Sequence, residues 1–217
     1  MRGSPGSVRL LDSAAHVRIF QWHRGDGTSA WRVGCVCVAM APQMHTNANG
    51  RRYYFLNSEN VTAFPPGFQM IAGDSQRRAS FNTTPNPINS DRADIDKSQE
   101  ILEHKAIGFN CLRLADRSKV EGSLFRHALP SKDELDKNCD AGLRLELMFP
   151  SCWNGSADST DHKSHVRYPS LVMEGDCPAA YSLHLPGLFY ETTWQTQKYQ
   201  DKSGRFFLAN GDTTGQW

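Results

Sequence analysis

"GLRLELMFP", residues Gly142–Pro150, alternates apolar and polar side chains along its length. Leu143, Leu145, Leu147 and Phe149 fall on one side and Arg144, Glu146 and Met148 on the other. Successive side chains of an extended chain point to opposite faces, so this pattern predicts a half-buried β-strand. "LPGLFYETTWQT" (Leu185–Thr196) has the same character, β-branched and aromatic residues after a Pro-Gly turn. Further short strands are expected in "RRYYFL" (Arg51–Leu56), "GFQMIAG" (Gly67–Gly73), "AIGFNCL" (Ala106–Leu112) and "GRFFLANGD" (Gly204–Asp212). The apolar run "VGCVCVAMA" (Val33–Ala41) reads as a buried strand, and "NANG" and "ANGD" supply turn chemistry.

Only "ADIDKSQEILEHK" (Ala93–Lys105) reads as helical, with Ile95, Ile101 and Leu102 as its apolar stripe. Ser75–Arg92 and Asp116–Asn138 read as polar loops. Many short strands, long loops and one short helix predict an all-β fold, a β-sandwich or jelly-roll-like domain. The glycines of "HRGDGTS" (His23–Ser29) mark only a turn.

The chain has 217 residues, enough for one sizeable core. Residues 42–217 are expected to form a single β-rich domain, shortened at its C-terminal end. Residues 1–41 are an atypical segment, expected to be disordered or to come from a faulty gene structure. With 24 basic against 23 acidic residues the net charge is +1, which argues against a nucleic-acid partner. No stretch reaches the ~20 apolar residues that a membrane span needs. The first thirty residues show no apolar signal core, yet the body of the chain points outward. Sequons stand at Asn60, Asn82 and Asn154. The six cysteines form an even set, which in an extracellular protein implies disulfides, with 15 connectivities open. Zinc is the weaker reading, since only Cys35 and Cys37 are close-spaced. A monomer is expected, with no cofactor and no metal.

Five blocks carry a family resemblance: "AFPPGFQMIAGD" (Ala63–Asp74), "CDAGLRLELMFPSCWNG" (Cys139–Gly155), "DHKSHVRYPS" (Asp161–Ser170), "LHLPGLFYETTWQTQKY" (Leu183–Tyr199) and "FFLANGDTTG" (Phe206–Gly215). In this order, over about residues 42–215, they resemble a fungal secreted family known as the domain of unknown function numbered nineteen ninety-six. The resemblance implies an extracellular or cell-wall-associated protein and no particular reaction. The family's Ser- and His-rich "SxHxHxxxG"-like block has no match in Met1–Ala41, and members continue past "NGDxTG". The resemblance therefore implies a chain trimmed at both ends.

Three groups of residues are candidates for function. His162 and His165 could be acid/base groups beside Asp161, which would tune an imidazole near neutral pH. The reading placed first is that both are bonded into their loop, and metal binding with a third ligand from elsewhere comes last. Glu146 and Glu191 would form a carboxylate pair if their strands are neighbours, and glycosidic hydrolysis needs such a pair about 5–5.5 Å or 6.5–9.5 Å apart. The alternative is a cross-strand ion cluster with Arg144. Trp153, Trp194, Tyr168 and Tyr190, with Arg144, could bind sugar rings, or pack in the core. No nucleophile elbow or phosphate loop is present. The expected function is a glycan-active enzyme, a hydrolase or lyase using His/carboxylate acid–base chemistry. A non-catalytic module that binds wall polysaccharide, or a structural wall protein, is the alternative.

Overall fold

The computed structural model describes residues 61–73 and 97–202, with four further strands outside those ranges. The strands are β1 (Ile19–His23), β2 (Ser29–Val33), β3 (Asn49–Tyr54), β4 (Ile107–Leu112), β5 (Gly142–Met148), β6 (Cys152–Trp153), β7 (Val166–Arg167), β8 (Leu183–His184), β9 (Gly187–Trp194) and β10 (Phe206–Phe207). Two helices are described, α1 (Gln99–Lys105) and α2 (Lys132–Asn138). Three sheets result, ordered β1-β2-β10, β3-β9-β5-β4 and β7-β6-β8. Pairing is antiparallel except between β10 and β2. Most of Val33–Ala41, the Ser75–Arg92 loop, Cys35, Cys37, Asn60 and Asn82 lie outside the described residues.

The fold is thus β-rich, and β5 is central to it. One face of β5 places Leu143, Leu145 and Leu147, with Phe149 just beyond, in a core shared with Ile107, Phe109, Leu188 and Trp194. The expectation of a half-buried strand needs correcting, because the other face is covered too. Met148 packs there with Phe189, Leu102, Ala106, Leu124, Tyr168 and Val172. Helix α1 and the segment around Leu124 form that cover. The polar members of the alternation are therefore under protein rather than under water.

Two local readings are corrected. Gly67–Gly73 forms no strand; it lies along the Ala157–His162 segment instead, with Gln69 N–H donating to the Ala157 carbonyl at 3.1 Å and Ile71 N–H to His162 at 2.8 Å. The supposed loop Asp116–Asn138 ends in helix α2, so the described residues hold two short helices rather than one. Ser131 caps α2, its hydroxyl accepting from Glu134 N–H at 3.2 Å, and Asp133 and Glu134 sit at the positive end of the helix dipole. Leu135 is the buried residue that attaches this polar helix to the core. Disulfides Cys111–Cys139 and Cys152–Cys177 tie α2 to β4 and the Cys177 segment to β6.

His127 is buried beside His104, ring centroids 5.9 Å apart, and its Nδ1 meets the Ile107 carbonyl at 2.9 Å. Burial, with a smaller repulsion from Lys105, lowers its pKa to about 4. A depressed histidine favours the folded state above the ordinary value of 6.5, and that contribution is lost as pH falls through the folded value of about 4. Thermal unfolding is expected to show an added slope of at most about 1.4 kcal/mol per pH unit in that window, absent from His127→Gln. Equal slopes in both proteins would show that His127 is protonated in the fold.

Candidate functional site

The antiparallel pair of β6 and β7 sets Trp153 opposite Val166, and the loop between them carries the two candidate histidines. Asp161 organises this loop. Its Oδ1 accepts from Ser164 N–H at 2.8 Å, Lys163 N–H at 3.0 Å and the Ser159 hydroxyl at 2.8 Å. These donors, the two amides foremost, hold the carboxyl far below the usual carboxylate range. Ser159 Oγ also lies 2.8 Å from His165 Nδ1. With the hydroxyl hydrogen given to Asp161, Nδ1 of His165 is the donor in that contact. His165 is 1% exposed and stacks edge-on against Phe68 at 5.3 Å. Burial pushes its pKa down. Asp161 and His165 are thus consumed in shaping the loop.

His162 is placed differently. Its φ is 52°, in the left-handed region, and its Nδ1 lies 2.5 Å from Asp158 Oδ1. The two side chains retain 28% and 33% exposure. Asp158 is held in turn by Ser159 N–H at 2.8 Å and by Gln69 Nε2 at 3.3 Å. The His162 contact is the main reason the Asp158 carboxyl sits below its ordinary value. With Nδ1 committed to Asp158, Nε2 is the ring atom that can exchange a proton with a ligand. The partner of His162 is therefore Asp158 rather than Asp161. Spacing of four residues, with Gln69 from a distant block, is the signal that could have singled out Asp158.

Glu146 and Glu191 do become neighbours, paired in register between β5 and β9. Arg144 joins them: Nη2 is 2.6 Å and Nε 2.8 Å from Glu146 Oε1, and Nη1 is 2.9 Å from Glu191 Oε1. Leu124 N–H donates to Glu146 Oε2 at 2.7 Å, from a backbone with φ 55°. Gly108 faces the same carboxylate so closely that a Cβ there would lie 2.5 Å from Oε2. Burial raises the pKa of Glu146 despite Arg144. This is a cross-strand ion cluster with both carboxylates buried.

The aromatic candidates are placed mainly inside. Trp153 and Trp194 are 6% and 5% exposed, and the indole of Trp153 donates to the Ser156 carbonyl at 2.6 Å. Tyr168 is 5% exposed and its hydroxyl donates to the Met148 carbonyl at 2.9 Å. Tyr190 is half-buried against Phe149 at 5.0 Å. Asn154 is exposed at the head of the loop, its Oδ1 accepting from Ser156 N–H at 3.0 Å.

A cleft of about 320 Å³ lies between α1 and β7, walled by Glu100, Glu103, Lys163, Arg167, Tyr168 and Ile71 among others. Lys163 Nζ bridges it to Glu103 at 2.9 Å. Gln99 fixes the wall by pairing with both backbone groups of Tyr168 at 2.9 Å. Arg167 lies over the Tyr181 ring at 4.9 Å. His162 directly precedes Lys163 and its carbonyl accepts from Ile71 N–H, so the His162 backbone adjoins two wall residues of this cleft, while neither His162 nor Asp158 lines it.

The model of the family described as Domain of unknown function (DUF1996) matches residues 34–216. The chain belongs to that family. No curated protein and no solved structure matches the chain. The DUF1996 span encloses both disulfides, the Asp158–His162 pair, the Arg144 cluster and the cleft. Among its described residues no helix is long and apolar enough to cross a membrane. Neither His162 nor His165 belongs, among those residues, to a group of three close metal-ligating side chains.

Proposed function

We propose that this DUF1996 chain is a fungal extracellular or wall-associated protein that acts on glycans by acid–base chemistry, as a hydrolase or lyase. The observation that carries this reading is the Asp158–His162 pair, at 2.5 Å and about one-third exposed. Of the other sequence candidates, His165, Glu146 and Glu191 are buried, and Asp161 Oδ1 is taken by three donors of its own loop. Asp158 engages Nδ1 and so leaves Nε2 as the ring atom that can exchange a proton with a ligand, the geometry a general base needs. The cleft walled by Lys163, the residue after His162, also carries Glu100, Glu103 and Arg167, groups able to hydrogen-bond hydroxyl-rich rings. Two disulfides and an exposed sequon at Asn154 support an oxidising, secretory compartment. A sandwich or jelly-roll packing of the sheets belongs to the same reading, supported by Trp153 of β6 and Val166 of β7 sharing the core with Leu143, Leu145 and Leu147 of β5.

The test is product release from wall β-glucan, mannan and polyuronide, read as new reducing ends and as unsaturated ends. His162→Gln is expected to lower the rate by about 10²–10⁴-fold, with the circular dichroism unchanged. Full activity in that variant would remove His162 from the chemistry. Retention on insoluble polysaccharide with no product from any of the three would favour the non-catalytic binding module.

A further inference from the structure

Arg167, at the end of β7, lines the cleft beside α1 and is treated unlike the other arginines. Arg113, Arg126 and Arg144, whose side chains are also described, each meet a glutamate. Lys163, on the same wall as Arg167, meets Glu103. Among the described residues no carboxylate pairs with Arg167, which is held by neutral groups instead. Its Nη1 donates to the Val166 carbonyl at 2.8 Å and to the Lys163 carbonyl at 3.4 Å, and its guanidinium lies 4.9 Å from the centre of the Tyr181 ring. The Tyr181 hydroxyl donates to the Ser164 carbonyl at 2.8 Å, so the ring that backs the guanidinium is itself fixed. No described residue hydrogen-bonds to Nε or Nη2 of Arg167. Those two nitrogens form one edge of the guanidinium, and their parallel N–H bonds match the two oxygens of a carboxylate.

A ligand for this edge must also suit the rest of the cleft. Ile71, Pro150 and Val166 give it an apolar side, and Glu103 and Lys163 a polar one. A sugar ring, with C–H faces and a hydroxyl rim, fits both. We propose that the cleft is a subsite for an acidic sugar, a uronate whose carboxylate is held by Arg167. The inference rests on the reading of the chain as glycan-active, and narrows it from glycans in general to polyuronides. The charge of Glu103 is offset by Lys163 at 2.9 Å, and Glu100 is exposed on the first turn of α1, so the cleft still accepts an anion. A neutral sugar would meet the same edge with a hydroxyl, whereas hydrogen bonds between two charged groups are roughly twice as strong. A volume of about 320 Å³ lies at the small end of the range for ligand pockets. Arg167 is braced on three sides before the ligand arrives, which is what a recognition residue needs.

The experiment titrates the full chain in a calorimeter with tetragalacturonate, with uncharged cellotetraose and with inorganic phosphate. Tetragalacturonate is expected to bind about 10-fold tighter or more than either other probe, and to weaken as salt is raised. Arg167→Gln should lose about 10-fold or more of that affinity and leave cellotetraose unchanged. Glu103→Gln removes a negative charge from the same wall and should tighten tetragalacturonate binding, a test that holds even where Arg167→Gln does not fold. Equal affinity for the two tetrasaccharides, phosphate binding as tightly as tetragalacturonate, unchanged affinity in Arg167→Gln, or no tightening in Glu103→Gln would each overturn the proposal. Product release from β-glucan or mannan alongside any of those results would keep the glycan-active reading and remove only the uronate subsite. Tetragalacturonate binding with no product from any polymer would keep the subsite and remove the enzyme.

Discussion

Replacing Arg144 with methionine is expected to cost about 3–5 kcal/mol at neutral pH, the range for removing one partner of a buried ion pair. The reason is the register of β5 and β9, which sets Glu146 against Glu191 with Arg144 between them. The two glutamates are 3% and 7% exposed, so water cannot take over the role of the guanidinium. Without it, two like charges face each other in a medium of low dielectric. The loss should be largest in urea unfolding at pH 7 and smaller in acid. Glu146 already has a folded pKa above its ordinary 4.5, chiefly through burial. A raised carboxyl contributes stability below the unfolded value, and loses it as pH rises through the folded value. Arg144 opposes that rise, so its removal lifts the folded value further and the deficit grows with pH. Arg144→Met combined with Glu146→Gln should recover much of the loss, because one of the facing charges is gone. A loss below about 1 kcal/mol that does not change with pH would mean that water reaches the cluster. Glu146 and Glu191 would then return as an accessible carboxylate pair.

The same residues show how far sequence carries and where it stops. Alternation in Gly142–Met148 separates Leu143, Leu145 and Leu147 from Arg144, Glu146 and Met148 correctly, because side-chain direction is local. It cannot say what covers the second face, since that depends on Leu102 and Leu124 arriving from elsewhere. The pairing of Glu146 with Glu191 follows from strand order, which is also non-local. Helix α2 was hidden by its polarity, although Ser131 and Glu134 carry the spacing of a helix cap. Gly67–Gly73 has the composition of a strand, yet its amides are taken by the Ala157 and His162 carbonyls. For the candidate site, "DHKSH" lies in the loop that holds the Asp158–His162 pair, but adjacency in sequence named Asp161 as the partner of the imidazole. Asp161 is nearer in sequence, but its Oδ1 is already filled by the amides of Lys163 and Ser164. Asp158, with Gln69 behind it, is the carboxylate left to meet the ring.

Phe68→Ala should be as damaging as the loss of Arg144, by a different route. The ring is fully buried and touches Phe64 at 5.2 Å, Trp153 at 6.0 Å and His165 at 5.3 Å. Truncating such a ring removes its transfer free energy and leaves a cavity, together about 3–5 kcal/mol. Phe68→Leu keeps most of the volume and is expected to cost less than about 1.5 kcal/mol. The consequence reaches the candidate site, because Phe68 is the packing partner of the His165 ring and lies next to Gln69. Gln69 in turn binds the Asp158 side chain and the Ala157 carbonyl. Emptying this position therefore loosens both supports of the loop that presents Asp158 and His162. Amide exchange should accelerate in residues 157–165 more than in β4 and β5 when Phe68→Ala is compared with the parent chain. A uniform acceleration across all strands would show that the ring stabilises the fold as a whole. In that case the loop geometry must be set by Asp161 and the Cys152–Cys177 bond alone.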